Sequence, residues 1–319
     1  MPAPQAVGAV VIGRNEGERL LRCLHALLGS GPIVYVDSGS TDDSVSAAQA
    51  LGVAVVQLET DVPFTAARAR NAGLARLTRD HDVDLVQFVD GDCEVQAGWL
   101  PEATAFLAAH PDVAVVAGRR RERFPQATLY NRLIDLEWDT PVGEAKACGG
   151  DALMRVEAVQ QVGGYNGALI AGEEPELCVR LRLAGWTIWR LEAEMTLHDA
   201  NITRFGQWWK RTRRAGHAYA QGRALHGRPP VCHNAAQTRR ALLWGLGVPL
   251  LALALALISP WGLVVLGLWP VQVLRLILRG EAPLQAVFLT LAKIPEAFGI
   301  LGFHLDRALG RQAHLIEYK

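Results

Sequence analysis

The chain has 319 residues, 32 Lys and Arg against 32 Asp and Glu, and half of its residues are apolar. With no net basicity, no nucleic-acid partner is expected, and the length suits one large α/β domain with an appendage. Five scattered cysteines, Cys23, Cys93, Cys148, Cys178 and Cys232, include no C-x-x-C pair. That spacing argues against a zinc site or a disulfide framework and for a reducing compartment. The first six residues lack a positive stretch and an apolar core, so no signal peptide is expected there.

Residues 7–12 read as a first strand, ending at Gly13-Arg14-Asn15-Glu16. Leu20, Leu21, Leu24, Leu27 and Leu28 then form the stripe of a core-facing helix. Residues 33–36 predict a second strand, closing on Asp37-Ser38-Gly39-Ser40-Thr41-Asp42, an acidic strand end followed by a helix cap. Residues 53–58 predict a third strand and 66–77 a helix carrying Arg68, Arg70 and Asn71. Residues 85–89 form a buried strand leading into Asp90-Gly91-Asp92, followed by a helix over 98–109 and a strand over 113–117. Strands alternating with helices of this length predict a mostly parallel sheet with right-handed crossovers.

Three successive strand ends carry Asn15/Glu16, Asp37 and Asp90/Asp92, the edge on which such sheets bind ligands. Two carboxylates two residues apart can hold Mg²⁺ or Mn²⁺ bridging to substrate phosphates. Gly91 between them is expected to give the turn room and leave space for a diphosphate. No G-x-G-x-x-G follows the first strand and no G-x-x-x-x-G-K-[ST] exists, which disfavours a dinucleotide site and excludes a P-loop.

The ordered set Val11-Ile12-Gly13-Arg14-Asn15-Glu16, Val36-Asp37-Ser38-Gly39-Ser40-Thr41-Asp42, Ala69-Arg70-Asn71-Ala72-Gly73 and Asp90-Gly91-Asp92 resembles the family 2 glycosyltransferases of GT-A fold, over residues 7–225. The resemblance implies a nucleotide-diphospho-sugar donor, a divalent metal and inversion at the anomeric carbon. It places Asp37 on the base, with Ile12 to Arg14 lining the base pocket and Glu16 near the nucleoside. Arg70 would approach the nucleotide, Asp90 the ribose or a metal-bound water, and Asp92 would ligate the metal. Cys148-Gly149-Gly150-Asp151 resembles the segment that approaches the transferred sugar, with Gly150 giving close access. Gly172-Glu173-Glu174-Pro175-Glu176 resembles the acidic segment that carries the catalytic base. That base is normally an aspartate, so Glu174 is favoured over Glu173 and the acceptor is expected to be set back slightly. Pro175 suits the first helical position and is expected to hold Glu174 extended, with a normal or slightly shifted pKa. His198, at the end of another strand, is a candidate third metal ligand.

Arg119-Arg120-Arg121-Glu122-Arg123 is a basic cluster that could face a phosphate-bearing acceptor or lipid headgroups, with a solvated rim as the plain alternative. A helix is expected over 127–138. Phe205 to His217 sets Trp208 and Trp209 beside Lys210, Arg211, Arg213 and Arg214, a composition suited to a membrane interface. No charge appears between Arg240 and Arg275, far more than one membrane span needs. The expectation is a catalytic domain over 1–225, a basic linker over 226–240, and a membrane hairpin at about 241–258 and 260–278 broken at Ser259-Pro260. An interfacial stretch over 284–303 and a tail carrying Arg307, Arg311 and Lys319 complete it. Arginines flanking both ends of the hairpin place the catalytic domain at the cytoplasmic face of the inner membrane.

The function expected is metal-dependent sugar transfer to a hydroxyl of a lipid-linked or membrane-proximal glycan acceptor, of the kind needed to assemble cell-surface polysaccharide. A hairpin is too small to form a polymer channel. Two other classes are an inactive sugar-nucleotide-binding partner subunit, against which the intact acidic motifs argue, and a nucleotidyltransferase, which would want a lysine-bearing phosphate loop.

Overall fold

A computed structural model describes residues 5–59 and 61–311. The chain divides into two compact units, one ending at Asn201 and the other beginning at Ile202. The first unit contains nine strands among the described residues: β1 Val7–Gly13, β2 Ile33–Asp37, β3 Ala54–Gln57, β4 Leu85–Asp90, β5 Cys93–Val95, β6 Val113–Glu122, β7 Gly143–Glu144, β8 Ala152–Arg155 and β9 Thr187–His198. Its helices are α1 Glu18–Leu27, α2 Ser44–Ala50, α3 Ala66–Asp80, α4 Trp99–Ala109, α5 Leu129–Glu137, α6 Val156–Gln161 and α7 Glu173–Leu183.

One sheet runs β3-β2-β1-β4-β8-β6-β9-β5, with β7 on β9. The β3-β2-β1-β4 half is parallel, as βα alternation requires. Beyond β4 the sheet is mixed, because β8 lies antiparallel between β4 and β6. Nearly all of β1, β2 and β4 is buried, which explains their unbroken apolar runs.

Register places the site. Ile12 pairs with Asp90 and Gly13 with Asp37, so three strands end on one level. The N-terminus of α3 reaches that same level. Thr65 caps it, accepting from the Arg68 backbone N–H at 3.1 Å. Gly73 lets α3 lie directly on the sheet, because a Cβ there would stand 2.3 Å from Cγ1 of Val10. Arg70, one turn earlier, is thereby carried over the strand ends.

The second unit opens with α8, Phe205–His226, most of which falls within the 1–225 span expected for the catalytic domain. Three further helices are long and apolar enough to cross a membrane: Ala235–Ala256, Pro260–Ile277 and Pro283–Ala308. Within this unit α8 packs tightly on the last of them. A Cβ on Gly216 would meet the Glu296 carbonyl oxygen at 2.0 Å, and one on Gly299 the Arg213 carbonyl oxygen at 2.0 Å. Of the apolar stretch in Pro283–Ala308, 44% is buried, against none in Pro260–Ile277. Lys293 and Glu296 of that helix form an ion pair at 2.7 Å. The tail residue Lys319 and the first four residues lie outside the described set.

Candidate active site

The centre of the site is the buried guanidinium of Arg70. Nη2 donates to Oδ1 of Asp90 at 2.8 Å, and Nη1 lies 3.0 Å from Glu173 and 2.8 Å from Glu174. Beneath it stands the Tyr165 ring, 5.6 Å from the guanidinium carbon. The D-G-D turn and the acidic segment, more than 80 residues apart in sequence, thus share one cation. Gly150 closes on this group: a Cβ there would be 2.7 Å from Arg70 Nη2 and 2.8 Å from Asp90 Oδ2.

Asn71, next to Arg70, fixes the turn that follows β8 and α6. Its side chain donates to the Tyr165 carbonyl at 2.7 Å and accepts from the Tyr165 N–H at 2.8 Å. Gly164 holds φ +71° there, with the Asn71 amide packed where a side chain would stand.

Two expectations at the acidic segment change. Helix α7 begins at Glu173 behind a left-handed Gly172, so Glu174 is inside the first turn and not extended. Pro175 fits because first-turn N–H groups have no helical partner. The Glu174 carboxyl is pushed up to about 7, by burial first and by Glu173 second, with Arg70 opposing. A near-neutral pKa replaces the ordinary one inferred from the helix dipole, because desolvation and a like charge outweigh the dipole.

Asp92 and His198 meet on the other side of Asp90. His198 Nε2 is 3.1 Å from Asp92 Oδ2, both side chains being under 10% exposed. Burial above all, then Arg120, lowers the His198 pKa to about 3, leaving a neutral imidazole with a lone pair to give. Its Nδ1 is buried without a hydrogen-bond partner among the described residues. Oxygen from Asp92, nitrogen from His198 and sulfur from Cys93 all lie within 4.8 Å of one another. This donor set fits a divalent cation.

At the ends of β1 and β2 the polar groups are held by local hydrogen bonds. The Asp37 carboxylate accepts from Gly39 N–H at 3.0 Å, Ser40 N–H at 2.9 Å and the Tyr35 hydroxyl at 2.9 Å, so its first task is to build its own turn. Ile12 offers its carbonyl to Gly91 N–H at 2.7 Å, and Gly13 its carbonyl to Ser38 N–H at 3.0 Å. Gly91 is required by close packing: a Cβ would stand 3.2 Å from the Ile12 oxygen and 3.3 Å from Glu16 Cγ. Glu16 pairs with Arg19 at 2.8 Å, and Arg14 lies over the Phe64 ring at 5.5 Å.

The basic cluster is dispersed, because neighbouring residues of a strand diverge. Arg119 is buried beside Asp135 at 3.3 Å, Arg121 pairs with Glu194 at 2.6 Å, and Arg123 pairs with Glu94. Each of these three arginines has an acidic partner in the protein, and only the Arg121 pair is largely exposed. Arg120 enters the site. It reaches Asp90 at 3.1 Å, Asp151 at 3.3 Å and the Cys93 sulfur at 3.2 Å. Arg120, Asp151 and Trp138 had no assigned role. Trp138 stacks on Arg120 at 4.7 Å and meets the His198 ring at 4.7 Å. The available signals were weak: an acid directly after Gly150, and one arginine among four.

The mixed, mostly parallel sheet with acidic strand ends has the GT-A form. Residues 9–162 match the model of the family described as glycosyl transferase family 2. The chain is 29% identical over 214 residues to the pre-mycofactocin glycosyltransferase of Mycobacterium tuberculosis, covering 62% of this chain and 43% of that one. It therefore spans less than half the length of that relative. It is also 29% identical over 197 residues to an uncharacterised glycosyltransferase of Mycobacterium bovis, covering 60% of this chain and 85% of the relative. Among solved structures, a mannosyltransferase from Pyrobaculum calidifontis, in complex with GDP-Man and Mn²⁺, superposes with a TM-score of 0.62 at 20% identity. That superposition covers 94% of this chain and 88% of the other. Residues 1–349 of TarS from S. aureus give 0.56 at 14% identity, covering 96% and 92%. The first unit thus resembles family 2 of the glycosyltransferases over residues 9–162.

Proposed function

We propose that the protein transfers a sugar from a nucleotide-diphospho-sugar to a hydroxyl of a membrane-proximal acceptor, lipid-linked or glycan, with inversion, assisted by Mg²⁺ or Mn²⁺. The observation that carries this reading is the Arg70 bridge, which sets Glu173 and Glu174 beside the D-G-D turn. Asp92 and His198 are the residues to hold the divalent ion, which when bound offsets the charge of the departing diphosphate. Ile12, Arg14, Glu16 and the Asp37 turn border the nucleoside at the ends of β1 and β2.

Glu174 takes the proton from the acceptor hydroxyl. A base near pH 7 matches that task, and its side chain is 13% exposed where Glu173 is 6%. Arg70 keeps both acids in place, and Gly150 leaves the sugar an approach that a side chain would block.

The membrane reading has its support in the second unit. The hairpin Ala235–Ala256 and Pro260–Ile277 crosses and returns, leaving Arg239, Arg240, Arg275 and Arg279 on the cytoplasmic face of the inner membrane. Pro283–Ala308 lies along the interface, as its ion pair and its packing on the cationic α8 favour. The test is nucleotide release by the purified chain with Mn²⁺ from a panel of UDP-, GDP- and dTDP-sugars. Release by wild type, lost in Asp92→Ala and in Glu174→Gln, is expected. Equal release from all three would overturn the assignments.

A further inference from the structure

Arg120 reaches into a second group of side chains with metal-ligating atoms. Asp90, Cys93 and Asp151 offer two carboxylate oxygens and a sulfur within 4.8 Å of one another, next to the Asp92–Cys93–His198 set and sharing Cys93 with it. Two adjoining donor sets with a common ligand are the arrangement that binuclear centres use, with ions about 3.5–4 Å apart. Here the guanidinium fills the Asp90 set. It touches all three donors at 3.1, 3.3 and 3.2 Å, and Trp138 closes over its face at 4.7 Å. Asp151 is held on its far side by the Thr196 hydroxyl at 2.8 Å and accepts from the Asp90 N–H at 3.1 Å. The cluster is therefore rigid and already neutralised.

We propose that Arg120 is a built-in cation that replaces a second divalent ion, keeping the centre mononuclear and reserving Asp90 for Arg70. Asp90 gives one oxygen to Arg70 and the other to Arg120, so Asp90 is left out of the ligand set built around Asp92 and His198. Unlike an exchangeable ion, this charge is present at every metal concentration. It also prevents a metal from drawing Asp90 off Arg70, which would loosen the tie to Glu174. Arg120 thus acts as a positioning residue, through Asp90. The count of one ion rests on the proposed metal centre at Asp92 and His198, whereas the filling of the Asp90 set by Arg120 stands apart from it.

The test is the stoichiometry of Mn²⁺ on the full chain in detergent, by calorimetry, with electron paramagnetic resonance to detect coupled ion pairs. Wild type and Arg120→Lys are expected to bind one Mn²⁺ with an uncoupled spectrum. Arg120→Met is expected to bind two, with a spin-coupled spectrum, and to return to one when Asp151→Asn is added. A coupled pair in the wild type would overturn the proposal without any variant. So would an Arg120→Met protein that is folded by circular dichroism and still binds one ion at unchanged affinity. If the wild type binds none, the metal reading of the function fails. Gain of an ion in Arg120→Met then still supports the role given to Arg120, and no gain overturns it.

Discussion

Replacing Glu173 by Gln should move the pH dependence of the reaction without removing it. Glu173 and Glu174 both reach Nη1 of Arg70, at 3.0 and 2.8 Å, so those oxygens are no more than about 6 Å apart. Two unit charges at that spacing interact by about 3 kcal/mol at an effective dielectric of about 20. At about 1.4 kcal/mol per pH unit, the Glu173 charge raises Glu174 by about two units. Burial accounts for the larger part of the rise to about 7, and Arg70 opposes both. Glu174 accepts a proton only when ionised, so kcat/KM in the wild type falls about tenfold per pH unit below about 7. In Glu173→Gln the fall should begin at pH about 5–6. Glu174→Gln should lose about 100- to 10,000-fold and show no such limb. The assay is nucleotide release between pH 5 and 9 at fixed Mn²⁺. An unmoved limb in Glu173→Gln would refute the electrostatic argument. A limb kept by Glu174→Gln and lost by Glu173→Gln would transfer the base to Glu173.

Gly150→Ala puts a methyl group against Arg70 and Asp90 and should cost about 100-fold in turnover through misplacement, with the melting temperature little changed. Asn71→Ala removes both bonds to the Tyr165 backbone and should destabilise the first unit by about 1–3 kcal/mol, read as a lower thermal midpoint. His198→Ala should weaken Mn²⁺ binding at least about tenfold by titration, leaving nucleotide binding in EDTA unchanged. The chain should stay with membranes through a carbonate wash, and a variant with Leu253 and Val264 changed to Asp should be released.

Much of this was legible in the sequence because period and punctuation there are local. The β1, β2 and β4 runs end in polar residues at positions that register then aligns, and the α3 stripe carries Arg70 to them. The Glu173–Glu174 segment was readable through its resemblance to the acidic segment of family 2 glycosyltransferases. What stayed hidden depends on partners distant in sequence. Arg120 looks like Arg119 and Arg121 until the strand separates them, one toward Asp90, the others toward Asp135 and Glu194. Gly91 looked like a turn residue, yet its constraint is the Ile12 carbonyl of another strand. The helix start at Gly172 was missed because Pro175 gave a stronger local signal than a glycine in left-handed conformation. The Glu174 pKa could not be foreseen, since burial and a shared arginine are properties of the folded site.

The central claim is that one cleft holds a metal-bound diphosphate at Asp92 and His198 within reach of a base at Glu174. A structure of the full chain with Mn²⁺ and an unhydrolysed donor sugar tests it most directly. The account predicts the ion on Asp92 and His198, Asp90 still between Arg70 and Arg120, and Glu174 on the face of the anomeric carbon opposite the diphosphate. A metal bound elsewhere, or a sugar turned away from Glu174, would contradict it.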